Sequence, residues 1–428
     1  MTFNIHKMNY NDHSESYDHK KLNIFCPIHG IMEITHTIRQ ILDTPEVQRL
    51  RDIKQLGATY YVFPSATHSR LEHSLGVSFL AGEVGHTLQK KHPELNITNR
   101  FIELLKIAGL VHDIGHGPYS HLYDNYVRLS SEPEHEERGL KIFEELCIRE
   151  NIRLNCFEKE EIQKMINPTG NDIYNWKYQI IANKSCQIDV DKIDYIERDS
   201  FHLGISHSGE LKRLLKLIRI GKTQNDNYEL IWDYKAEFDV YSLFSTRYRL
   251  HRQVYTHHTV RAFEHVIIDI LKKIKKTSTK PLYHYSDSIV TQYCYDNPDE
   301  PICQSLMTRN HPHYLGQVIV KNHEIPIKYN GFHLIGKGLI LEEIRIGFVS
   351  GNTKKNPLKC VFYYEERKNG IVKTFQISSH NSSFLITDKF QERIIRGYYI
   401  SDFHESLTLW KKIKKEYLMG KISLDHST

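Results

Sequence analysis

The stretch Ala108–His121, AGLVHDIGHGPYSH, constrains the fold most strongly, because it sets three histidines and an aspartate at the end of an apolar run. Phe101, Leu104, Leu105, Ala108 and Val111 recur at the three-and-four spacing of a helix packed on a core. His112 falls on that stripe. A buried imidazole needs a partner for each ring nitrogen, and the Asp113 carboxylate is costly to bury unpaired. Taken alone, the pair reads as a core histidine bonded to a carbonyl, with Asp113 capping a turn. A divalent metal would satisfy both, and that reading requires further ligands elsewhere.

Two other segments supply candidates. ATHSRLEHSLGVSFLAGEV begins a helix on which Arg70 and His73, three apart, share a face. CQIDVDKIDYIERDSFHLG carries Asp189, Asp191, Asp194 and Asp199 in helix-compatible register. Singly, Asp189 reads as an N-cap and the other acids as a solvated face. Together the segments give H…HD…D, two imidazoles and two carboxylates from three helices, a site built inside a helical bundle. Mixed imidazole and carboxylate ligation suits Mn, Fe, Co, Ni or Zn better than Ca, and the lack of thiolates argues against a structural zinc. Such a metal lowers the pKa of a water and polarises a phosphoryl oxygen. Arg70, His116, Lys192 and Arg247 are then candidate phosphate ligands, and His121 and His135 candidates for protonating a leaving oxygen. Without the metal cluster, Arg247, Arg249 and Arg252 read as a basic helix face.

The 428 residues are long enough for a main domain and a smaller one, and 40% apolar with 25% charged residues is ordinary for a globular chain. A net charge of +5 permits a polyanionic ligand without demanding one. Seven cysteines with no CxxC spacing predict free thiols in a reducing compartment. The polar N-terminus lacks a signal-peptide core, and no run approaches the roughly 20 apolar residues of a membrane span. An intracellular, soluble protein with no membrane partner is expected.

Along the chain, residues 1–20 read as a flexible lead and Leu22–Ile34 as a hairpin. Helices are expected at 46–56, 70–91, 99–112, 134–149, 188–199, 209–219 and 236–275, making 21–275 the main helical core. Residues 276–345 read as a connecting region and 346–428 as a smaller lobe. Strand-like runs extend from Gly316 to Phe384, with a Lys-Asn-Gly turn, and a final helix is expected from Asp388 to about Tyr417.

These residues resemble the HD phosphohydrolase superfamily. Over roughly Leu22–Tyr417, DTPEVQRLRDIKQLGATYYVFPSATHSRLEHSLGVSFLAG, IAGLVHDIGHGPYSHLYD, IDVDKIDYIERDSFHLGI and STRYRLHRQVYTHH are similar to the deoxynucleoside triphosphate (dNTP) triphosphohydrolases of the SAM-and-HD-domain family. The resemblance implies a mainly α fold, a helical HD phosphohydrolase core with a smaller α+β C-terminal lobe. With about twenty residues ahead of the matching region, no sterile-alpha-motif domain is expected. By matched position, His73, His112, Asp113 and Asp191 would ligate one divalent transition metal, Fe, Mn or Zn, with Mg²⁺ accompanying the nucleotide. Arg70, His116, Lys192 and Arg247 would hold the triphosphate, and His121 would protonate the 5′ oxygen with support from His135. Gln55 and Asp199 match residues at the 3′ hydroxyl, and Tyr195 and Tyr255 residues of the deoxyribose pocket. The implied reaction is hydrolysis at the α-phosphorus to deoxynucleoside and tripolyphosphate, controlling dNTP pools.

The resemblance also implies regulation in a homodimer or homotetramer. Asp43, Gln48 and Arg51 match residues that read guanine, predicting a GTP or dGTP activator. Val62 and Phe63 match the lining of an adjacent dNTP site, where FCPIHG stands for the family's NDPIHG and Asp233, Asp239 and His258 replace an arginine, an asparagine and a lysine. Anions near a triphosphate repel it, so this second activator is expected to bind weakly, differently or not at all. Two other readings compete. An HD phosphohydrolase acting on another nucleotide has no need of Tyr195, Gln55 and Asp199. A single-stranded nucleic-acid binder would use basic residues interleaved with 26 tyrosines, but has no use for H…HD…D. Single-stranded nucleic acid stays as a weak additional partner.

Overall fold

Alternation in LNIFC and GIMEI, joined by Pro-Ile-His-Gly, produces the expected hairpin: β1 (Leu22–Cys26) pairs antiparallel with β2 (Gly30–Ile34). Phe25 and Ile31 face each other across it on the outer side, 75% and 70% exposed. The computed structural model describes residues 22–419 apart from 207–208, 224–225, 321–330, 337, 350–354, 367–371 and 378–388. The N-terminal lead and the Lys-Asn-Gly turn lie outside the described residues.

Helices α1 (His36–Leu42) and α2 (Pro45–Gln48) lead to the central helix, α3 (Arg70–Lys91). A Ser69–Glu72 capping box starts α3, fixing Arg70 and His73 in its first turn. Most of α3 is buried, because α4 (Asn99–Val111) and α8 (Val190–Leu203) pack on it from different sides. Gly109 permits the α3–α4 crossing: a Cβ there would lie 2.9 Å from the Ser78 Cα. Between them come α5 (His121–Tyr126), α6 (His135–Arg149) and α7 (Cys156–Ile166). Asp189 caps α8 through the Lys192 amide, as its position predicts.

The expected helix 46–56 is only one turn, α2, then a 3₁₀ turn Arg49–Asp52, since Ile53 is already extended. After α8 the chain forms a short α9 (Leu211–Lys216) and the antiparallel pair β3 (Ile218–Lys222) and β4 (Tyr228–Asp233). The expected 236–275 helix is split into α10 (Glu237–Leu250), a π-helical turn His251–Tyr255 and α11 (His258–Thr277). The wider turn rotates His251 and Tyr255 into the cavity described below.

Helices α12 (Ser288–Asp296) and α13 (Pro301–Met307) pack on α11, and the C-terminal strands begin at His313, inside the stretch read as connecting. Here β5 (His313–Val320), β6 (Gly331–Ile335) and β7 (Leu339–Gly347) join a later strand, β10 (Gln391–Tyr399), in the order β5-β10-β7-β6. Strands β8 (Phe362–Glu366) and β9 (Val372–Gln376) instead extend the β3–β4 sheet, β8 running parallel to β4 with Trp232 opposite Tyr363. The helix expected from Asp388 is corrected: residues 391–399 are the inner strand β10, and only α14 (Phe403–Leu418) is helical. Arg393 and Arg396, three apart, mimic a helical stripe, but Ile394, Ile395 and Tyr398 are all buried, as two-sided packing of an inner strand requires. Trp410, Ile413 and Tyr417 of α14 cover that sheet. The protein is mainly α with a smaller α+β C-terminal lobe.

Candidate active site

The ends of three helices converge. His73 Nε2 lies 3.0 Å from Asp191 Oδ1 and 3.8 Å from Asp113 Oδ2, and His112 Nε2 lies 3.7 Å and 3.5 Å from oxygens of the same two aspartates. His112 is the C-cap of α4, so its Nδ1 bonds the Gly109 carbonyl at 2.8 Å and its Nε2 is buried without a hydrogen-bond partner. His73 Nδ1 bonds Asp194 Oδ2 at 2.8 Å. Both imidazoles thus turn Nε2 toward the aspartates, the arrangement a divalent metal requires of its histidines. Burial disfavours a charge on His73, yet its hydrogen bonds to the Asp191 and Asp194 carboxylates raise its pKa to about 10. Burial disfavours the Asp113 carboxylate, but Arg70 and the neighbouring histidines hold its pKa well below the usual range. The centre strongly favours positive charge, and its orphaned His112 Nε2 and N/O donor set fit a transition metal.

Around it lies a cavity of about 740 Å³, the size of a small-molecule site. Every residue named from the sequence for metal, phosphate, sugar and proton transfer lines it. Arg70 donates to Asp113 and to the Ser120 hydroxyl. His116, His121 and His135 form a second imidazole group, His116 and His135 stacked with centroids 4.1 Å apart. Asp124 lies 3.1 Å from His135 Nδ1 and 2.5 Å from Arg138 Nη2, tying α5 to α6. Burial and then the His116 charge push His121 well below the ordinary imidazole value. The backbone ahead of His121 is strained, with Tyr119 and Ser120 at φ of 57° and 55°. Asp287, buried at the start of α12, accepts the Tyr119 amide at 2.6 Å and the Lys54 amide at 2.9 Å and so pins that turn.

On another wall, the Arg247 guanidinium donates to the Tyr195 hydroxyl at 3.1 Å and to the Gly347 carbonyl of β7 at 2.7 Å. The Tyr255 hydroxyl donates to Asp199, whose other oxygen bonds His68 Nε2 at 2.7 Å. Lys192 is paired with Asp189 at 2.8 Å, and the Gln55 Oε1 is buried without a partner at the cavity edge.

Arg261 and Glu264 of α11 also line the cavity, and Arg261 bonds both Glu264 and the buried Glu342 (2.6 Å). Burial raises the Glu264 pKa, Arg261 lowers it and the Glu342 charge raises it again, leaving it at about 7. The folded state therefore holds a proton that the unfolded chain releases near pH 4.5, so stability falls as pH rises from there through 7. Glu264→Gln keeps the neutral form at all pH. Its melting temperature relative to wild type is expected to rise by a few degrees between about pH 5 and pH 8 in thermal denaturation. A difference flat with pH would show that Glu264 is ionised throughout.

The HD-domain family model matches residues 70–199, from the first turn of α3 to Asp199 of α8. The chain is 32% identical over 437 residues to the deoxynucleoside triphosphate triphosphohydrolase SAMHD1 of Homo sapiens, covering 87% of this chain and 69% of that protein. The chain belongs to the SAMHD1 family. It is also 30% identical over 426 residues to the SAMHD1 homolog of Dictyostelium discoideum, covering 92% of this chain and 80% of the relative. As a SAMHD1-family member it is a hydrolase of the HD superfamily.

The residues named for a guanine activator lie outside the cavity of this SAMHD1-family chain. Gln48 bridges the Leu42 carbonyl (2.7 Å) and the Arg51 guanidinium (2.6 Å), beside an exposed Asp43. Val62 and Phe63 follow a 3₁₀ turn, and the Phe63 ring meets His257 edge-on. Asp239 is paired with Arg213 at 2.5 Å, and His258 stacks on Tyr314. The roles of His29, His68, Asp124, Asp194, His251 and Asp287 are not visible in sequence alone. The one available signal was Arg198 four residues beyond Asp194, a spacing for an ion pair on an otherwise buried helix face.

Among the described residues no helix is long and apolar enough to cross a membrane. All seven cysteines are free.

Proposed function

We propose that this SAMHD1-family hydrolase cleaves dNTPs at the α-phosphorus, releasing deoxynucleoside and intact tripolyphosphate and thereby limiting dNTP pools. The observation that carries the reading is the single cavity in which the H…HD…D centre, a ring of cations and imidazoles, and the Tyr195–Tyr255–Asp199 wall meet. His73, His112, Asp113 and Asp191 would hold Fe, Mn or Zn, with Mg²⁺ arriving on the nucleotide. Such an ion supplies Lewis acidity and a source of hydroxide near neutral pH.

The chain's own residues account for the rest. Arg70, His116, Lys192 and Arg247 bind the polyphosphate. Its negative charge reverses the electrostatics around His121 and favours the imidazolium, which gives its proton to the departing 5′ oxygen as the P–O5′ bond breaks. His135 supports His121. Asp199 and Gln55 receive the 3′ hydroxyl, and Tyr195, fixed by Arg247, closes the space a 2′ hydroxyl would need. Tyr195→Ala is expected to reduce discrimination of dCTP over CTP in kcat/KM by at least about 10-fold. Unchanged discrimination would move the ribose filter elsewhere.

Guanine nucleotide at Asp43, Gln48 and Arg51 would raise the rate, and the active form would be a dimer or tetramer. The second activator, near Phe25, Asp239 and His258, would bind weakly. Anion-exchange analysis of products from each dNTP, with Mg²⁺ or Mn²⁺ and with or without GTP, tests the reading. Deoxynucleoside with tripolyphosphate supports it; monophosphate with pyrophosphate, or no turnover, overturns it.

A further inference from the structure

The metal centre is buttressed from a distant part of the chain. His29, in the turn of the β1–β2 hairpin, places Nε2 2.6 Å from Asp194 Oδ1, and Asp194 Oδ2 is 2.8 Å from His73 Nδ1. Arg198 contacts both oxygens of the same carboxylate at 2.9 Å. The side chains of His29 and Asp194 are fully buried. His29 Nδ1 is buried and makes no hydrogen bond. A bare lone pair there costs less than a stranded N–H, so the proton sits on Nε2 and is donated to Asp194.

Helix α3 presents a three-residue stripe to this relay. His73 meets Asp194, Gly76 leaves the space that the Asp194 carboxylate and Arg198 fill, and Phe79 stacks on the His29 ring with centroids 5.6 Å apart. Arg198 already neutralises Asp194, so His29 is not required as a counter-charge. Its donation instead occupies the oxygen turned away from His73, which leaves Oδ2 aimed at Nδ1 and holds Nε2 toward Asp113 and Asp191.

We propose that His29 is a positioning residue for the metal centre, acting through Asp194 to fix the tautomer and orientation of His73. This rests on the reading of His73, His112, Asp113 and Asp191 as metal ligands. The hairpin turn is then part of the metal site although no atom of it lines the cavity.

The test is Co²⁺ titration of the full chain, stripped with chelator, for wild type, His29→Ala and His29→Gln. His29→Ala is expected to weaken Co²⁺ binding by about 10-fold or more, and His29→Gln, whose amide can donate to Asp194, to recover most of the affinity. Wild-type affinity in His29→Ala would overturn the relay while leaving the metal centre standing. No Co²⁺ binding by wild type would overturn both. If His29→Ala unfolds, the comparison of His29→Gln with His29→Phe decides: equal affinity in that pair overturns the proposal, because only Gln can donate.

Discussion

Asp191→Ala is expected to lower dNTP hydrolysis by about 10³-fold, a loss of about 4 kcal/mol of transition-state stabilisation, and to reduce bound transition metal from one ion per chain to almost none. A single oxygen of Asp191, Oδ1, lies 3.0 Å from His73 Nε2 and 3.7 Å from His112 Nε2. The fold should survive, since the Asp191 side chain is one-third open to the cavity and its buried partner His73 keeps the bond to Asp194. Turnover by purified protein, metal analysis and circular dichroism on the same sample separate the outcomes. Retained hydrolysis with metal lost would place the chemistry elsewhere; retained metal would mean that the other three ligands suffice.

Gly76→Ala is expected to be strongly destabilising despite the small size of the change. Alanine in a helix interior normally gains about 1 kcal/mol over glycine. Here its methyl would overlap Asp194 Oδ1 and Arg198 Nη2, both buried and bonded to each other. Overpacking costs about 1–3 kcal/mol and parting a buried ion pair about 3–5 kcal/mol, so after the helix gain a net destabilisation of about 3–7 kcal/mol is expected. Urea unfolding measures it directly. Stability equal to wild type would show that α3 and α8 separate easily, contrary to their close packing.

That the ends of α3, α4 and α8 bring polar side chains together was legible because each couples a polar residue to a long apolar stripe, and burial of that stripe leaves the polar group few explanations. The roles of Asp194 and His29 were not legible. His29 is 165 residues from Asp194 and Asp194 is 121 from His73, and Arg198 four residues on is the one local mark that sets Asp194 apart from the other acids of its helix. The split at His251–Tyr255 escaped detection because residues on both sides keep helical periodicity through a wider turn. In β10, Arg393 and Arg396 sit three apart like a helix face, whereas their partners, Glu343 and the Gln317 and Thr256 oxygens, are supplied by neighbouring strands and by the cavity wall. Asp287 illustrates the same limit: its work is to hold two loop amides, and sequence spacing carries no trace of that.

The hold of β7 on Arg247 bears on how the protein can be dissected. Gly347 gives its carbonyl to a guanidinium of the cavity, Arg396 reaches the Thr256 carbonyl, and β8 completes a sheet begun by β3 and β4. A fragment ending after α11 would retain the whole H…HD…D set but lose these three attachments. The catalytic unit is therefore not modular. A chain trimmed to the family-matched segment would keep the candidate ligands without these supports, and any transplant of this activity into another protein would have to carry the C-terminal lobe with it.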